Sequence, residues 1–328
     1  MKIKVEEAKK LPGWAIGPFT KYKENPVLAP SKEGWDAGGS GNGVFNGGVI
    51  VEKDTFYYLY RGCREIKSKP GYLCKIGLAL SDDGCHFRKY ENNPLWGKDD
   101  KYSYEDVQVI KYNDTYYLFC NRWDWEFGEP AINGMWLAIS EDLIHWKEYG
   151  IIFPHAKKIH RNGAILQNPN NEPVKVNDKF IMYLNDGLIA YSLDLFHWES
   201  KEMPRIPGGE CCVAIADHST QEPNNIVLFT GGGGEGTPWE GEHRYAIGEV
   251  LFSKKDPEKP ISVLKKPILY AEGKYPWEMG KSASDPKKEV AHPDVIFFDA
   301  LTRYKENWWM YYGACDFYTC LATASVKP

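Results

Sequence analysis

Apolar residues along this chain recur in short runs that alternate with turn residues, and a helical period is sustained nowhere beyond a turn or two. An aromatic, β-branched run appears five times: FYYLYRG (56–62), TYYLFCN (115–121), FIMYLND (180–186), IVLFTGG (226–232) and WWMYYGA (308–314). A second short run ending in Ser follows each: GLALS (77–81), WLAIS (136–140), LIAYS (188–192), EVLFS (249–253) and LATAS (321–325). Upstream lies a third apolar run with a polar start: VFNGGVIV (44–51), EDVQVIKY (105–112), RNGAIL (161–166), ECCVAIA (210–216) and HPDVIFF (292–298). Runs of this length and composition predict antiparallel strands. Three or four strands per unit, repeated at 40–50 residues or more, are the signature of a propeller blade. Five units therefore predict an all-β, five-bladed β-propeller. One domain spans 1–328, with blades near 44–90, 104–149, 161–200, 208–265 and 290–325. The fifth unit lacks an outer strand, and WAIGPFTKY (14–22) can supply it, closing the ring and removing an open edge.

Three units continue from the terminal Ser into one kind of turn: SDDGCHF (81–87), SEDLIHW (140–146) and SLDLFHW (192–198). Ser and Asp there can bond the turn's own amides, so Asp82, Asp142 and Asp194, with His145 and His197, read as structural. The remaining composition excludes more than it assigns. A net charge of −5, spread along the chain, argues against nucleic acid as a partner. No apolar run approaches the roughly 18 residues of a membrane span. The opening MKIKVEEAKK has no apolar core of a secretory signal, so a cytoplasmic protein is expected, with its 8 Cys reduced and mostly buried. A homo-oligomer remains open.

In a propeller the innermost strands line a central channel, and their leading residues face one mouth. Those positions read Asn46, Glu105 and Asp106, Arg161 and Asn162, Glu210, then His292 and Asp294. A polar or ionisable group in every unit points to a small-molecule site, because clustered carboxylates need compensation. Trp35, Trp123, Trp125, Trp239 and Trp277 lie in loops near the same strand ends. Flat aromatic faces beside acids and amides suit a sugar, and paired carboxylates suit cleavage of a glycosidic bond. GGGGEG (231–236) lacks the Lys-Ser/Thr of a phosphate loop and reads as a loop over the channel mouth. Neither HExxH nor a metal-spaced His pair occurs, so no metal and no cofactor is expected.

The chain resembles glycoside hydrolase family 130, the five-bladed mannoside phosphorylases and β-mannosidases. NPVL (25–28), VFNGGV and YYLYRG look like its opening blade. YEDVQVIKYNDTYYLF (104–119) is similar to its Glu-Asp-Pro-Arg strand, with Val107 and Gln108 in place of Pro-Arg. RNGAILQNP (161–169) and YYGACD (311–316) resemble its Lys-Asn-Ala-Ala-Leu and Tyr-Tyr-Gly-Ala-Ala-Asp segments.

The resemblance implies an inverting mechanism with Asp106 as general acid, in the phosphorylases acting through a sugar hydroxyl. It also implies that Asn46, Arg61 and Asn162 hold the first sugar, with Asp316 supporting the channel. Glu105 and His292 join the substrate-binding set by position. Asn185 and Asp186 stand near where a phosphate-binding Arg is expected, which weakens an anion site, although Arg122 and Arg161 remain as candidate phosphate ligands. The first expectation is thus an exo-acting, inverting hydrolase of β-mannosides or related oligosaccharides. Glu210, or second Asp294, would activate water. The alternatives are a phosphorylase with inorganic phosphate as co-substrate, another five-bladed glycosidase, or a non-catalytic carbohydrate-binding or interaction propeller. Loops 122–134 and 231–244 would set sugar and linkage preference.

Overall fold

The computed structural model describes residues 11–39, 41–66, 72–124, 130–219, 221–285 and 287–327, and the backbone of 4–6. Strands β1 (Lys4–Glu6) and β2 (Thr20–Lys21) precede the first blade, which comprises β3 (Val44–Glu52), β4 (Thr55–Glu65), β5 (Tyr72–Ser81) and β6 (Arg88–Lys89). Blade 2 is β7 (Ser103–Tyr112), β8 (Thr115–Trp123), β9 (Gly134–Ser140) and β10 (Trp146–Ile151). Blade 3 is β11 (Ala164–Gln167), the short β12 (Lys175–Val176), β13 (Lys179–Leu184), β14 (Leu188–Ser192) and β15 (Trp198–Glu202). Blade 4 is β16 (Glu210–Ala216), β17 (Asn225–Gly232), β18 (Ala246–Ser253) and β19 (Ser262–Leu264), with β1 added in parallel outside β19. Blade 5 contains β20 (Ile296–Tyr304), β21 (Asn307–Ala314) and β22 (Tyr318–Ser325). The five-bladed all-β propeller read from the repeat is the fold observed.

The fifth blade takes its outer strand from before the first. Thr20 and Lys21 of β2 pair antiparallel with Thr323 and Ala322 of β22. Lys21 Nζ lies 2.8 Å from the buried Glu278 carboxylate, which also accepts from Tyr312 Oη at 3.1 Å. Asn25 adds a second tie, donating to Leu321 O at 2.9 Å and accepting from Leu321 N at 2.7 Å.

Apolar residues of alternate strand positions meet between blades, one cluster to each interface. Ile110, Phe119 and Leu137 of blade 2 pack on Ile165, Phe180 and Met182 of blade 3. Between blades 4 and 5, Val213, Phe229 and Ile247 meet Ile296, Phe298 and Met310, with Trp14 inserted from the N-terminal segment. Period-2 alternation makes both faces of each blade a core face, hence the near-continuous apolar strands. Near the axis the inner strands crowd together. A Cβ on Gly48 would stand 2.8 Å from Val109 Cγ1 and 2.9 Å from Val109 N, so only glycine fits.

The repeated turns are structural, with one correction. Ser81, Ser140 and Ser192 each accept from the amide three residues on, at 2.9–3.0 Å. The aspartates that cap these turns are Asp83, Asp142 and Asp194, so in the first turn the role falls to Asp83 rather than Asp82. Each receives two backbone amides and a His Nδ1 at 2.7–2.8 Å. These bonds outweigh a partial desolvation and hold the carboxyls well below the usual range, that of Asp194 at about 2. A depressed folded pKa means that this stabilisation is present above the unfolded value and is lost as pH falls through the folded one. The triple variant Asp83→Asn/Asp142→Asn/Asp194→Asn should therefore be less stable at neutral pH. Its denaturation midpoint should also change less than the parent's between about pH 4 and pH 2. Parallel acid-denaturation curves would contradict this.

The cysteines depart from expectation at one place. Cys63 and Cys74 face each other across β4 and β5, with Cα atoms 4.2 Å apart, and form a disulfide. Cys85, Cys120, Cys211, Cys212, Cys315 and Cys320 are free thiols.

Candidate active site

At the start of the inner strands the backbone does something that the pattern alone does not show. Asn46, Asp106 and Asn162 adopt left-handed conformations, with φ of 47°, 56° and 51°. In β3 and β7 a bulge falls at this point, between Phe45 and Gly48 and between Glu105 and Gln108. The short polar side chains of Asn and Asp tolerate that conformation better than other non-glycine residues. The bulge thus selects the residue type and turns it toward the axis.

The result is a cavity of about 320 Å³ at one end of the channel, bordered by Asn46, Arg61, Glu105, Asp106, Arg161, Asn162, Glu210, His292 and Asp316. Nine of the twelve predicted site residues converge there. A hydrogen-bond chain links Asn46, Arg61, Asp106, Asn162 and Glu210. The Asp106 carboxylate accepts from Asn46 Nδ2 at 2.6 Å, Arg61 NH1 at 3.2 Å and Asn121 Nδ2 at 2.8 Å. Asn121 Nδ2 also donates to Asn162 Oδ1 at 2.6 Å, and Asn162 Nδ2 donates to Glu210 Oε2. The other Glu210 oxygen accepts from Tyr245 Oη at 3.2 Å.

Electrostatics centre on Arg61, buried between the rings of Phe45 and Tyr72 at 4.6 and 5.4 Å. It pairs with Glu105 at 3.3 Å and Asp106 at 3.2 Å. Burial alone would lower its pKa, but the two carboxylates outweigh that and raise it, so it is always charged. Burial raises the pKa of Glu105, which Arg61 partly offsets. Glu210 is raised by burial and by the Asp106 charge, and Asp316 by burial. Tyr245 is pushed up to about 12 by burial and by Glu210, so it stays a donor.

Three predicted residues fall outside this cavity. Arg122 follows Asn121 on β8, and period-2 alternation turns it to the opposite face. There it donates to Ile132 O at 3.1 Å and stacks over Tyr102 at 4.4 Å, while Asn121 and Trp123 face the cavity. Asp186 is exposed and borders a neighbouring space of about 160 Å³, which shares Arg161, Glu210 and Tyr245 with the main cavity. The Asp294 carboxylate accepts from His243 Nδ1 at 3.2 Å and Arg244 N at 2.9 Å, which fastens the 243–245 segment to blade 5. Of the tryptophans, Trp123 alone among the described residues borders the cavity. Trp239 is fully buried, Trp35 stacks on Tyr60 and Trp277 on Tyr275. Trp125 lies outside the described residues. Of the glycine-rich segment, Gly231 and Gly232 end β17 and border the neighbouring space.

Asn121, Tyr72, Arg244 and Tyr245 were not anticipated. A signal existed for Asn121, the sixth residue beyond the start of β8, as Arg61 is beyond the start of β4. They oppose Glu105 and Phe45, equivalent residues of β7 and β3. Arg244 and Tyr245 sit in a loop without repeat equivalents. Among the described residues no group of three or more His, Cys, Asp or Glu could hold a metal ion, and no helix is long and apolar enough to cross a membrane.

The fold and the cavity thus define a five-bladed propeller with a ring of acids, amides and guanidiniums at one end of its channel. The chain belongs to glycoside hydrolase family 130: the family model, described as β-1,4-mannooligosaccharide phosphorylase, matches residues 20–328. It is accordingly an enzyme of glycosidic bonds, of a family acting on β-mannosides. The chain is 26% identical to a β-1,2-mannobiose phosphorylase of Thermoanaerobacter sp. (strain X514), covering 91% of this chain and 94% of the relative. It is also 26% identical to a 1,2-β-oligomannan phosphorylase of the same organism, with 94% and 97% covered. A glycosyl hydrolase structure from Bacteroides ovatus superposes with a TM-score of 0.76 at 24% identity, covering 97% of this chain and 96% of that one.

Proposed function

We propose that this protein is an inverting β-mannoside phosphorylase. The observation that carries the reading is a pair of free cations. Arg161 and Arg244 both border the cavity, and among the described residues neither guanidinium has a carboxylate within ion-pair distance. His292 also borders the cavity. Arg61, by contrast, is paired with Glu105 and Asp106. Unpaired guanidiniums facing an open cavity suit a phosphate dianion. The names of the curated relatives support the same reaction.

In this reaction phosphate oxygen attacks the anomeric carbon from one face. The bond from that carbon to the leaving oxygen breaks on the other, and the configuration inverts. Asp106 supplies the proton that the leaving oxygen takes up, directly or through a sugar hydroxyl. Asn46, Arg61 and Asn162 hold the sugar against it. Phosphate arrives as an anion and needs no base, and Glu210 is held in place by Asn162 and Tyr245. Glu210 then serves as an acceptor for sugar hydroxyls rather than as the base for water, and Asp294 and Arg122 act at one remove.

Hydrolysis is the second reading, favoured by Asn185 and Asp186 standing where the resemblance places an arginine. Incubation of a β-mannobiose with and without inorganic phosphate decides. Phosphorolysis gives mannose 1-phosphate only when phosphate is present, whereas free mannose released at an unchanged rate without it would establish the hydrolase. Arg161→Ala and Arg244→Ala should each raise KM for phosphate about tenfold or more, the loss of a charge-assisted contact, with a smaller effect on KM for the glycoside. An unchanged KM for phosphate in both variants would remove them from the anion site.

A further inference from the structure

Beneath the floor of the cavity lies a smaller chamber of about 30 Å³, bordered by Asn46, Asp106, Gln108, Asn162, Cys212 and Asp299 among others. That is room for a water and no more than two or three, since one needs about 10–15 Å³ by this measure. Three side-chain atoms of its lining are buried without a hydrogen-bond partner: Asn46 Oδ1, Gln108 Nε2 and Asp299 Oδ1. Their residues are 8%, 9% and 8% exposed.

Other contacts fix which atom of each group points inward. Gln108 Oε1 accepts from Ile165 N at 3.1 Å, which leaves its NH2 for the chamber. Asn46 Nδ2 is taken by Asp106 at 2.6 Å, which leaves its oxygen. Asp299 Oδ2 accepts from Tyr58 Oη at 2.8 Å, which leaves Oδ1, and burial pushes this carboxyl up to about 8, so it keeps its proton at neutral pH. Asn46 and Asp299 both border the chamber, and their free oxygens lie close together, since a Cβ on Gly313 would stand 3.3 Å from each. Two donors, the Gln108 NH2 and the protonated Asp299 carboxyl, and one acceptor, Asn46 Oδ1, lie within the hydrogen-bonding complement of a single water. Such a water accepts from Gln108 and Asp299 and donates to Asn46. A cation would face the Gln108 NH2, and an anion would face the Asn46 oxygen.

We propose that this chamber is a site for one ordered water, through which Gln108 and Asp299 act as positioning residues, locking the Asn46 amide with its NH2 toward Asp106. Without the water the amide is free to turn and set its oxygen against the Asp106 carboxylate. Gln108 stands where the resemblance places an arginine, so the arrangement depends on a neutral residue of this chain. Its catalytic consequence rests on the reading of Asp106 as the acid.

The water site is tested first without activity, by a crystal structure of the protein at a resolution that shows ordered solvent. A single peak within hydrogen-bond distance of all three atoms is expected. No peak, or one with the short, many-fold coordination of a metal ion, would overturn the proposal. Steady-state kinetics of Gln108→Met and Asp299→Leu then test the positioning role. Both should lower kcat about tenfold, the loss of one charge-assisted hydrogen bond to the acid, while KM for the glycoside stays within about twofold. Asp299→Asn, which still offers an N–H donor to the chamber in place of the O–H, should recover most of the loss. Parental kcat in Gln108→Met would overturn the role even if the leucine variant failed to fold. Full activity in Asp106→Asn would instead refute the acid assignment, and the positioning role with it, while the solvent peak would still stand.

Discussion

Turnover of the Asp106→Asn variant is expected to fall about a thousandfold, within the range of 10²–10⁴ for loss of a general acid. The shapes of the two side chains match, so the channel is not opened. The hydrogen-bond inventory, however, does not match. Asp106 receives NH groups from Asn46, Arg61 and Asn121, and an asparagine offers one oxygen and an NH2 that opposes those donors. The proton for the leaving oxygen is lost and the local network is set against itself. Turnover should therefore fall much further than KM rises, with a melting temperature within a few degrees of the parent. A variant that kept more than about a tenth of parental kcat on a range of β-mannosides would remove Asp106 from the acid role.

The second large effect is on stability. Arg61→Met is expected to cost about 3–5 kcal/mol, as does breaking a buried ion pair by deleting one partner. Glu105 is then left buried with its carboxylate uncompensated, for Arg61 is the main influence lowering its pKa. The sign of the pH dependence follows. A carboxyl whose folded pKa lies above its unfolded value gives stability that is fully present below the unfolded pKa and is lost as pH rises through the folded one. The gap in denaturation midpoint between Arg61→Met and the parent should therefore narrow as pH is lowered from about 8 to about 5. A constant gap would mean that Arg61 contributes through its packing between Phe45 and Tyr72 alone. The variant should also be inactive, because the same guanidinium contacts Asp106.

The fold was legible because period-2 apolar runs recur in order, and a ring of similar blades needs little more than that recurrence. The missing outer strand of the fifth unit was legible for the same reason, as an absence in an otherwise regular pattern. Asn46, Asp106 and Asn162 stood out as polar residues opening apolar strands. Their left-handed conformation explains why Asn and Asp are the residues there. Direction was the harder quantity. Arg122 and Trp123 are neighbours, and a shift of one residue exchanges the face that each sees. Asn185 and Asp186 raise the same ambiguity, and the amide of Asn185 accepts from Cys211 N while Asp186 is exposed. Arg244 and Tyr245 reach the cavity from a loop without periodicity, so no repeat could align them. The tryptophans divide between the two uses, Trp123 at the cavity and Trp35, Trp239 and Trp277 packed, because bulk and flatness serve the spaces between blades as well as a sugar face. The disulfide arises from a cross-strand register that cysteine spacing does not reveal.

The pairing of Thr20 and Lys21 with the last strand has a consequence for the order of events at the ribosome. Blades 1 to 4 can each form their own hairpins as they emerge, but the wall carrying Asp316 is made after them. Until then β2 has no partner and the first blade's side of the interface stays open, exposing Val44 and Tyr58, which Ala300 and Tyr311 of the fifth blade later cover. Closure is thus a long-range event that joins segments some 300 residues apart, of the kind that slows folding. A nascent chain should acquire sugar binding in one late step rather than blade by blade.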